Sequence, residues 1–288
     1  SGDDTVNSGL GNDVVDGGAG MDTVNQDWSS LTTDIEWNLE TGAFSGPGQW
    51  TNFERFGILK TGAGNDNLVM LDKSNVIDLG AGDDSATVMG NADVVYGGTG
   101  NDLLIIDYSA TDRRFLTVDL TTDVSGYSGT VRASDFGHSV TFSGIDRFDI
   151  RTSFSWDEIT TGNGNDIIAT GSGDDTVNSG LGNDVVDGGD GDDKLTGGGG
   201  NDTYFTDTQF DLIIENPGEG TDTAITSASF YLYANVENLT LASGAGDLFG
   251  VGNELANTIT GNEGANLLIA GIGDDTVSGA AGNDLVYG

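Results

Sequence analysis

Cysteine is absent from this chain of 288 residues, and proline, histidine and basic residues are scarce: two Pro, one His and nine Lys plus Arg. Each shortage excludes something. Without cysteine no disulfide can staple the fold, and the lack is compatible with secretion without requiring it. With no thiol and His138 as the single imidazole, metals that seek sulfur or nitrogen are disfavoured. No His-Glu-x-x-His or Gly-x-Ser-x-Gly phrase occurs, and His138 has no Ser or Asp triad context, so it is expected at the surface. Nine cations against 47 Asp and Glu leave a net charge of -38, which argues against nucleic acid and anionic membrane as partners. No apolar run approaches spanning length, so no membrane span is expected. Two prolines beside 48 glycines, with no persistent Gly-x-y triplet, exclude collagen.

What is present is a nine-residue phrase, Gly-Gly-x-Gly-x-Asp-x-U-x, with U a large aliphatic. In the first block Asp4, Asp13 and Asp22 are followed two residues later by Val6, Val15 and Val24. Further repeats start at 61, 70, 79, 88 and 97, at 161, 170, 179, 188 and 197, and at 252, 261, 270 and 279. A period this short, held this long, indicates a solenoid whose repeats stack on their neighbours. The glycine half of each nonad reads as a turn, because glycine supplies positive φ and lets carbonyls converge. The x-U-x half reads as a very short strand with U inward and its neighbours outward. Two nonads make one coil of 18 residues. Val6 and Val24 are then expected on one side with Val15 opposite; Ile168, Val186 and Tyr204 share a side, faced by Val177 and Leu195.

The same geometry stacks the acids. Asp4 is expected above Asp22, Asp84 above Asp102, Asp166 above Asp184 and Asp202, and Asp175 above Asp193, one strand spacing of about 4.8 Å apart. Carboxylates about 5 Å apart repel by roughly 1 kcal/mol in water and several times that near a low-dielectric surface. A cation between successive turns reverses the sign, and an all-oxygen cage of about six ligands suits Ca²⁺ better than Mg²⁺. Repetition marks these carboxylates as metal ligands and not as an acid/base pair. The candidate ligand residues are Asp4, Asp13, Asp22, Asp66, Asp84, Asp93, Asp102, Asp166, Asp175, Asp184, Asp193, Asp202, Asp275 and Asp284, with the turn glycines Gly2, Gly11, Gly20, Gly64, Gly82, Gly100, Gly164, Gly173, Gly182, Gly191, Gly200, Gly273 and Gly282. No EF-hand loop competes with them.

These repeats resemble those of the RTX family, the hemolysin-type calcium-binding repeats of secreted bacterial proteins, whose signature is this nonapeptide. The resemblance implies an all-β fold: calcium-bound parallel β-roll (β-helix solenoid) blocks interrupted by β-hairpin inserts. It also implies several bound Ca²⁺ ions, folding outside the cell and export by a type I system. The signature weakens at Asn75, Asn257 and Asn266, where Asn replaces Asp, and at Asn91, which replaces a glycine. Sites there are expected to be weaker or empty.

The chain divides on this reading into roll blocks at 1–25, 61–105, 161–205 and 252–288, with β-rich inserts at 26–60 and 106–160 and a β-rich spacer at 206–251. The two inserts resemble each other: Asp27-Trp28-Ser29 matches Asp107-Tyr108-Ser109, and Phe53-Glu54-Arg55-Phe56 matches Ile145-Asp146-Arg147-Phe148. Hairpin excursions that rejoin the roll are expected there. Residues 1–18 and 172–189 are identical, the chain enters and leaves in mid-repeat, and the family's secretion signal is not visible. A fragment of a longer protein is therefore expected.

Three functional readings stay open. One is a non-catalytic, Ca²⁺-stiffened structural segment of a secreted or cell-surface protein of adhesin, surface-layer or filament type. Another is the folding and secretion module of an exported hydrolase or polysaccharide-modifying enzyme. A third is a glycan-binding module using Trp28, Trp50 and Trp156, although aromatics in short inserts more often form a local core, Trp37 above all. In the last block Leu267, Ile269, Leu285 and Tyr287 fall on one outward face, which is expected to be covered by self-association or by neighbouring chain.

Overall fold

Aliphatics recurring every nine residues give short strands separated by glycine turns. The computed structural model describes residues 1–71, 73–89, 91–109, 116–123, 126–133 and 139–288; His138 lies outside them. No helix occurs among the described residues, and the strands pair largely in parallel. Contacts divide the chain into two units, Ser1–Tyr108 with Thr117–Asp149, and Ser109–Leu116 with Ile150–Gly288.

The second unit shows the repeat most plainly. Ile167–Ala169, Val185–Asp187 and Thr203–Thr206 are neighbours in one sheet, with Ile168 opposite Val186 and Val186 opposite Tyr204. On the other side of the coil Glu158–Thr160, Thr176–Leu181, Lys194–Gly199 and Leu212–Ile214 follow one another, with Val177 opposite Leu195. Both inner columns are fully buried at these residues, and the outward flanks are half-buried or exposed, including the apolar Ile167, Phe205 and Leu212. This is the parallel β-roll that the period demands: side chains alternate in and out, and the coils on either side supply the strand's backbone partners.

The roll runs on through the spacer. Thr223–Thr226, Asn238–Leu241, Thr258–Thr260 and Thr276–Ser278 continue the first sheet, and Phe230–Tyr231, Phe249–Val251, Leu267–Ile269 and Leu285–Tyr287 form a second stack. Thr258 faces Thr276 and Thr260 faces Ser278. In the other stack Leu267 and Ile269 are half-buried, whereas Leu285 and Tyr287 are each 52% exposed.

In the first unit one sheet holds Thr5–Val6, Thr23–Leu31, Arg55–Gly62, Val76–Gly80, Asp93–Tyr96 and Ser139–Ile145 in that order. Val6 and Val24 are partners there, and Val15 stands elsewhere, opposite Trp50. The facing sheet runs from Leu103–Asp107 through Ser85–Val88 and Asn67–Val69 to Glu36–Asn38. Hairpins interrupt the roll as expected: Glu36–Asn38 pairs antiparallel with Ala43–Ser45, and Gly126–Ala133 with Ser139–Ile145. The 26–60 segment builds a local aromatic core. Trp28 lies 5.5 Å from Trp50 and 6.3 Å from Trp37, and Trp37 packs edge-on against Phe56 at 5.1 Å. All three tryptophans are buried, so neither Trp28 nor Trp50 offers a ring face to a sugar; Trp156 is 72% exposed.

Candidate metal sites in the turns

The turns are built by glycines whose replacement would strain the backbone. Gly182 has φ +132° and Gly200 φ +139°, a region side chains rarely adopt. A Cβ on Gly182 would also clash with the carbonyl oxygen of Gly164, and one on Gly200 with that of Gly182. At these turns the carbonyl of one coil therefore lies close over the glycine of the next. The candidate glycines 2, 11, 20, 82, 100, 173, 182, 191, 200, 273 and 282 all have positive φ. Gly64 does not; its need is steric, since a Cβ would lie 2.5 Å from the carbonyl carbon of Thr33. The carbonyl of Gly164 faces Gly182 in the same series.

Beside this carbonyl edge the aspartates form a ladder. Each accepts the backbone N–H of the equivalent residue one coil earlier. Asp166 donates to Asp184 Oδ1 at 2.8 Å and Asp184 to Asp202 Oδ1 at 2.8 Å, each pair 18 residues apart. Across the coil Asp157 donates to Asp175 at 2.6 Å, Asp175 to Asp193 at 2.8 Å and Asp193 to Asp211 at 3.1 Å. In the first unit Asp4 donates to Asp22 at 2.8 Å, Asp66 to Asp84 at 2.7 Å and Asp84 to Asp102 at 3.1 Å. A second ladder, one residue earlier in each turn, runs the other way: Asn183 donates its N–H to Asn165 Oδ1 at 2.8 Å and Asn201 to Asn183 Oδ1 at 2.7 Å.

The ladder uses one oxygen of each carboxylate. The other oxygen of Asp22, Asp84, Asp102, Asp193 and Asp202 is buried and has no protein hydrogen-bond partner. For Asp193 and Asp202 that oxygen fills the space a side chain on Gly188 or Gly197 would need. Burial pushes Asp84 and Asp193 up to about 7 and Asp102, Asp175 and Asp202 up to about 6, and neighbouring ladder carboxylates add to each shift. A buried anion with an open lone pair is costly unless a positive group completes it. Here the donors are oxygens only: carboxylates and the carbonyls of the turns. That set fits a hard divalent cation of calcium's size and coordination number.

Of the predicted ligands, Asp22, Asp66, Asp84, Asp93, Asp102, Asp166, Asp175, Asp184, Asp193 and Asp202 are buried in the ladders. Asp4 is exposed, and Asp13, Asp275 and Asp284 are half-buried. Asp13 accepts the Ser8 hydroxyl at 2.7 Å, while Asp275 and Asp284 accept the amides of Asn257 and Asn266 at 2.8 and 2.9 Å.

Sequence reasoning missed the acids that continue the ladders outside the signature. Asp22 donates its N–H to Glu54 at 2.7 Å, Asp102 to Asp146 at 3.0 Å, Asp202 to Asp222 at 2.9 Å and Asp222 to Glu237 at 2.8 Å. Asp157 and Asp211 join in the same way. The signal was in the chain: Glu54 and Asp146 are the matching acids where the two inserts close.

Asparagine changes the chemistry. Asn75 Nδ2 donates to Asp93 Oδ1 at 2.8 Å and to the Lys73 carbonyl at 2.5 Å, while its Oδ1 accepts the Phe56 amide at 3.0 Å. Asn266 and Asn257 likewise bond within their own turns, to Asn262 at 2.9 Å and Asn253 at 3.0 Å. The amide hydrogens supply there what a cation would supply beside aspartate. At the irregular nonad Asn91 and Ala92 adopt φ +91° and +63°.

The model of the RTX calcium-binding nonapeptide repeat matches residues 1–25, 71–104, 155–186, 179–213 and 251–286, together more than half of the chain. No curated protein matches it.

Proposed function

The chain belongs to the RTX calcium-binding nonapeptide-repeat family, whose repeats bind several Ca²⁺ ions, and from this we propose that it is a calcium-gated, non-catalytic structural segment of an exported protein. The observation that carries this reading is the row of buried carboxylates whose second oxygens have no protein partner. Asp22, Asp84, Asp102, Asp175, Asp184, Asp193 and Asp202, with the carbonyls of the turn glycines, would hold the ions. Asp66, Asp93 and Asp166 join them by position in the repeat, and Asp4, Asp13, Asp275 and Asp284 make more exposed, weaker sites. Bound calcium would supply the positive charge that the carboxylate columns require. Without it, a chain of net charge -38 repels itself along every ladder.

The switch suits a protein made in one compartment and used in another. Extracellular modules bind Ca²⁺ with Kd around 10⁻⁴–10⁻³ M, so the columns stay open in calcium-poor cytosol and close outside. No helix among the described residues is long and apolar enough to cross a membrane. A segment built from stacked repeats, with an insert packed into a local aromatic core, fits an adhesive, surface-layer or filament role. Circular dichroism of the chain in EGTA and in millimolar Ca²⁺ tests the proposal. A parallel-β spectrum that appears only with Ca²⁺ is expected; one that is unchanged by chelator overturns it.

A further inference from the structure

Glu215 stands where the repeat has no acid. Leu195 pairs with Ile213 and Thr196 with Ile214, so Glu215 follows in register with Gly197 of the preceding coil. The space above Gly197 is filled: a Cβ there would clash with Asp202 Oδ2 and with the Tyr204 hydroxyl. Into this space the Glu215 carboxylate also projects, accepting a hydrogen bond from Tyr204 Oη. Asp222 completes the group. One oxygen from each of Asp202, Glu215 and Asp222 lies within 4.8 Å of the others.

All three acids are at least nine-tenths buried, with exposures of 1%, 7% and 1%. Their protein hydrogen bonds are incomplete. Asp202 Oδ1 accepts the Asp184 amide and Asp222 Oδ1 accepts the Asp202 amide, while Glu215 Oε1 accepts the tyrosine. Asp202 Oδ2 and Glu215 Oε2 are buried with no protein partner. No counter-charge is at hand, because no Lys, Arg or His occurs from Leu195 to Gly288.

We propose that Asp202, Glu215 and Asp222 hold one further divalent cation, Ca²⁺, at a site made by a coil flank and not by two glycine turns. Glu215 and Asp222 fall outside the residues matched by the repeat model. The site ties the last coil of the 161–205 block to the spacer coil, so the ion locks the roll where its register changes from 18 residues to 20. Tyr204 positions the Glu215 carboxylate while its ring fills the inner column. Three carboxylates and no nitrogen or sulfur suit a hard cation.

The proposal rests on the calcium-binding reading of the family, and the test separates the two. Bound Ca²⁺ per chain is counted by equilibrium dialysis at saturation for the whole chain, for Glu215→Gln, for Asp222→Asn and for the double variant. Asn at 222 can still accept the Asp202 amide through Oδ1. Each single variant is expected to lose one ion and the double variant no more than either, with the Ca²⁺-bound melting temperature lowered in all three. A Glu215→Gln chain that keeps the full count, or a double variant that loses one ion more than Asp222→Asn, overturns the shared site and leaves the repeat sites standing. A wild-type chain that binds no calcium would sink both readings.

Discussion

The backbone N–H of Asp175 donates to Asp193 Oδ1 at 2.8 Å, while the second oxygen of Asp193 is buried with no protein partner. The hydrogen bond fixes the carboxylate's direction but does not balance its charge. Each ladder step therefore leaves an anion in the space over a turn glycine, as Asp193 does over Gly188. Geometry is set by the backbone, and neutralisation is left to an ion. That division explains how a chain with 48 glycines and no disulfide can hold a regular fold.

Asp193→Asn separates the two roles. The amide keeps an acceptor for the Asp175 N–H and supplies hydrogens, as Asn75 does toward Asp93. Removing an unpaired buried charge is expected to stabilise the chelated protein by about 1–3 kcal/mol. The same change costs a ligand, so the bound-calcium count falls and the rise in melting temperature on adding Ca²⁺ shrinks. Calorimetry in EGTA and in Ca²⁺ reads both signs; a variant destabilised in EGTA would contradict the argument.

Acidity should substitute in part for calcium. In the metal-free fold Asp84 and Asp193 are raised to about 7 and Asp102, Asp175 and Asp202 to about 6, against an ordinary value near 3.8, mainly by burial. Between about pH 4 and 7 the native state thus binds more protons than the unfolded chain, and its stability falls as pH rises through that window. The melting temperature in EGTA is expected to be higher at pH 5 than at pH 7.5. With saturating Ca²⁺ the trend reverses, because protons then compete with the ion. A flat or rising profile in EGTA over this range would show that the carboxylates are not the destabilising element.

Gly191→Ala strains one turn without touching a charge. Gly191 has φ +147°, and a Cβ would clash with the Gly173 carbonyl oxygen. The strained φ and the steric overlap together are expected to cost about 2–5 kcal/mol. The loss should appear in both EGTA and Ca²⁺, whereas Asp193→Asn changes sign between them. Chemical denaturation in the two conditions distinguishes backbone strain from lost ligation.

Much of this was legible because the signature is strictly periodic. Val177, Leu195, Ile168, Val186 and Tyr204 fall in the inner columns that the nine-residue spacing assigns, and the aspartates stack at 18. Glu54 and Asp146 could be matched with each other but not placed on a ladder, and Glu237 had no such match, since they sit 32, 44 and 15 residues from the amides they accept. Period cannot reach across an insert of arbitrary length; only the parallel register of the returning strand brings such an acid into line. Glu215 was hidden for a related reason, because its role depends on the room that Gly197, lacking a side chain, leaves for Asp202 and Tyr204, and not on a motif.

The tryptophans give the last prediction, and they behave unlike one another. Trp28 is 1% exposed and packs against Trp37, Phe44 and Trp50, with ring centroids 5.5–6.3 Å away. Trp28→Ala is expected to cost about 3–5 kcal/mol by leaving a cavity that its ring neighbours cannot close. Trp156, 72% exposed, has no such packing to lose, and Trp156→Ala should change stability by less than about 0.5 kcal/mol. If sugars bind this chain through stacking, the exposed ring must carry it. Trp156→Ala would then abolish binding on a glycan array with the melting temperature intact, whereas Trp28→Ala would lower both together. Equal losses from the two variants would mean that folding alone was being measured.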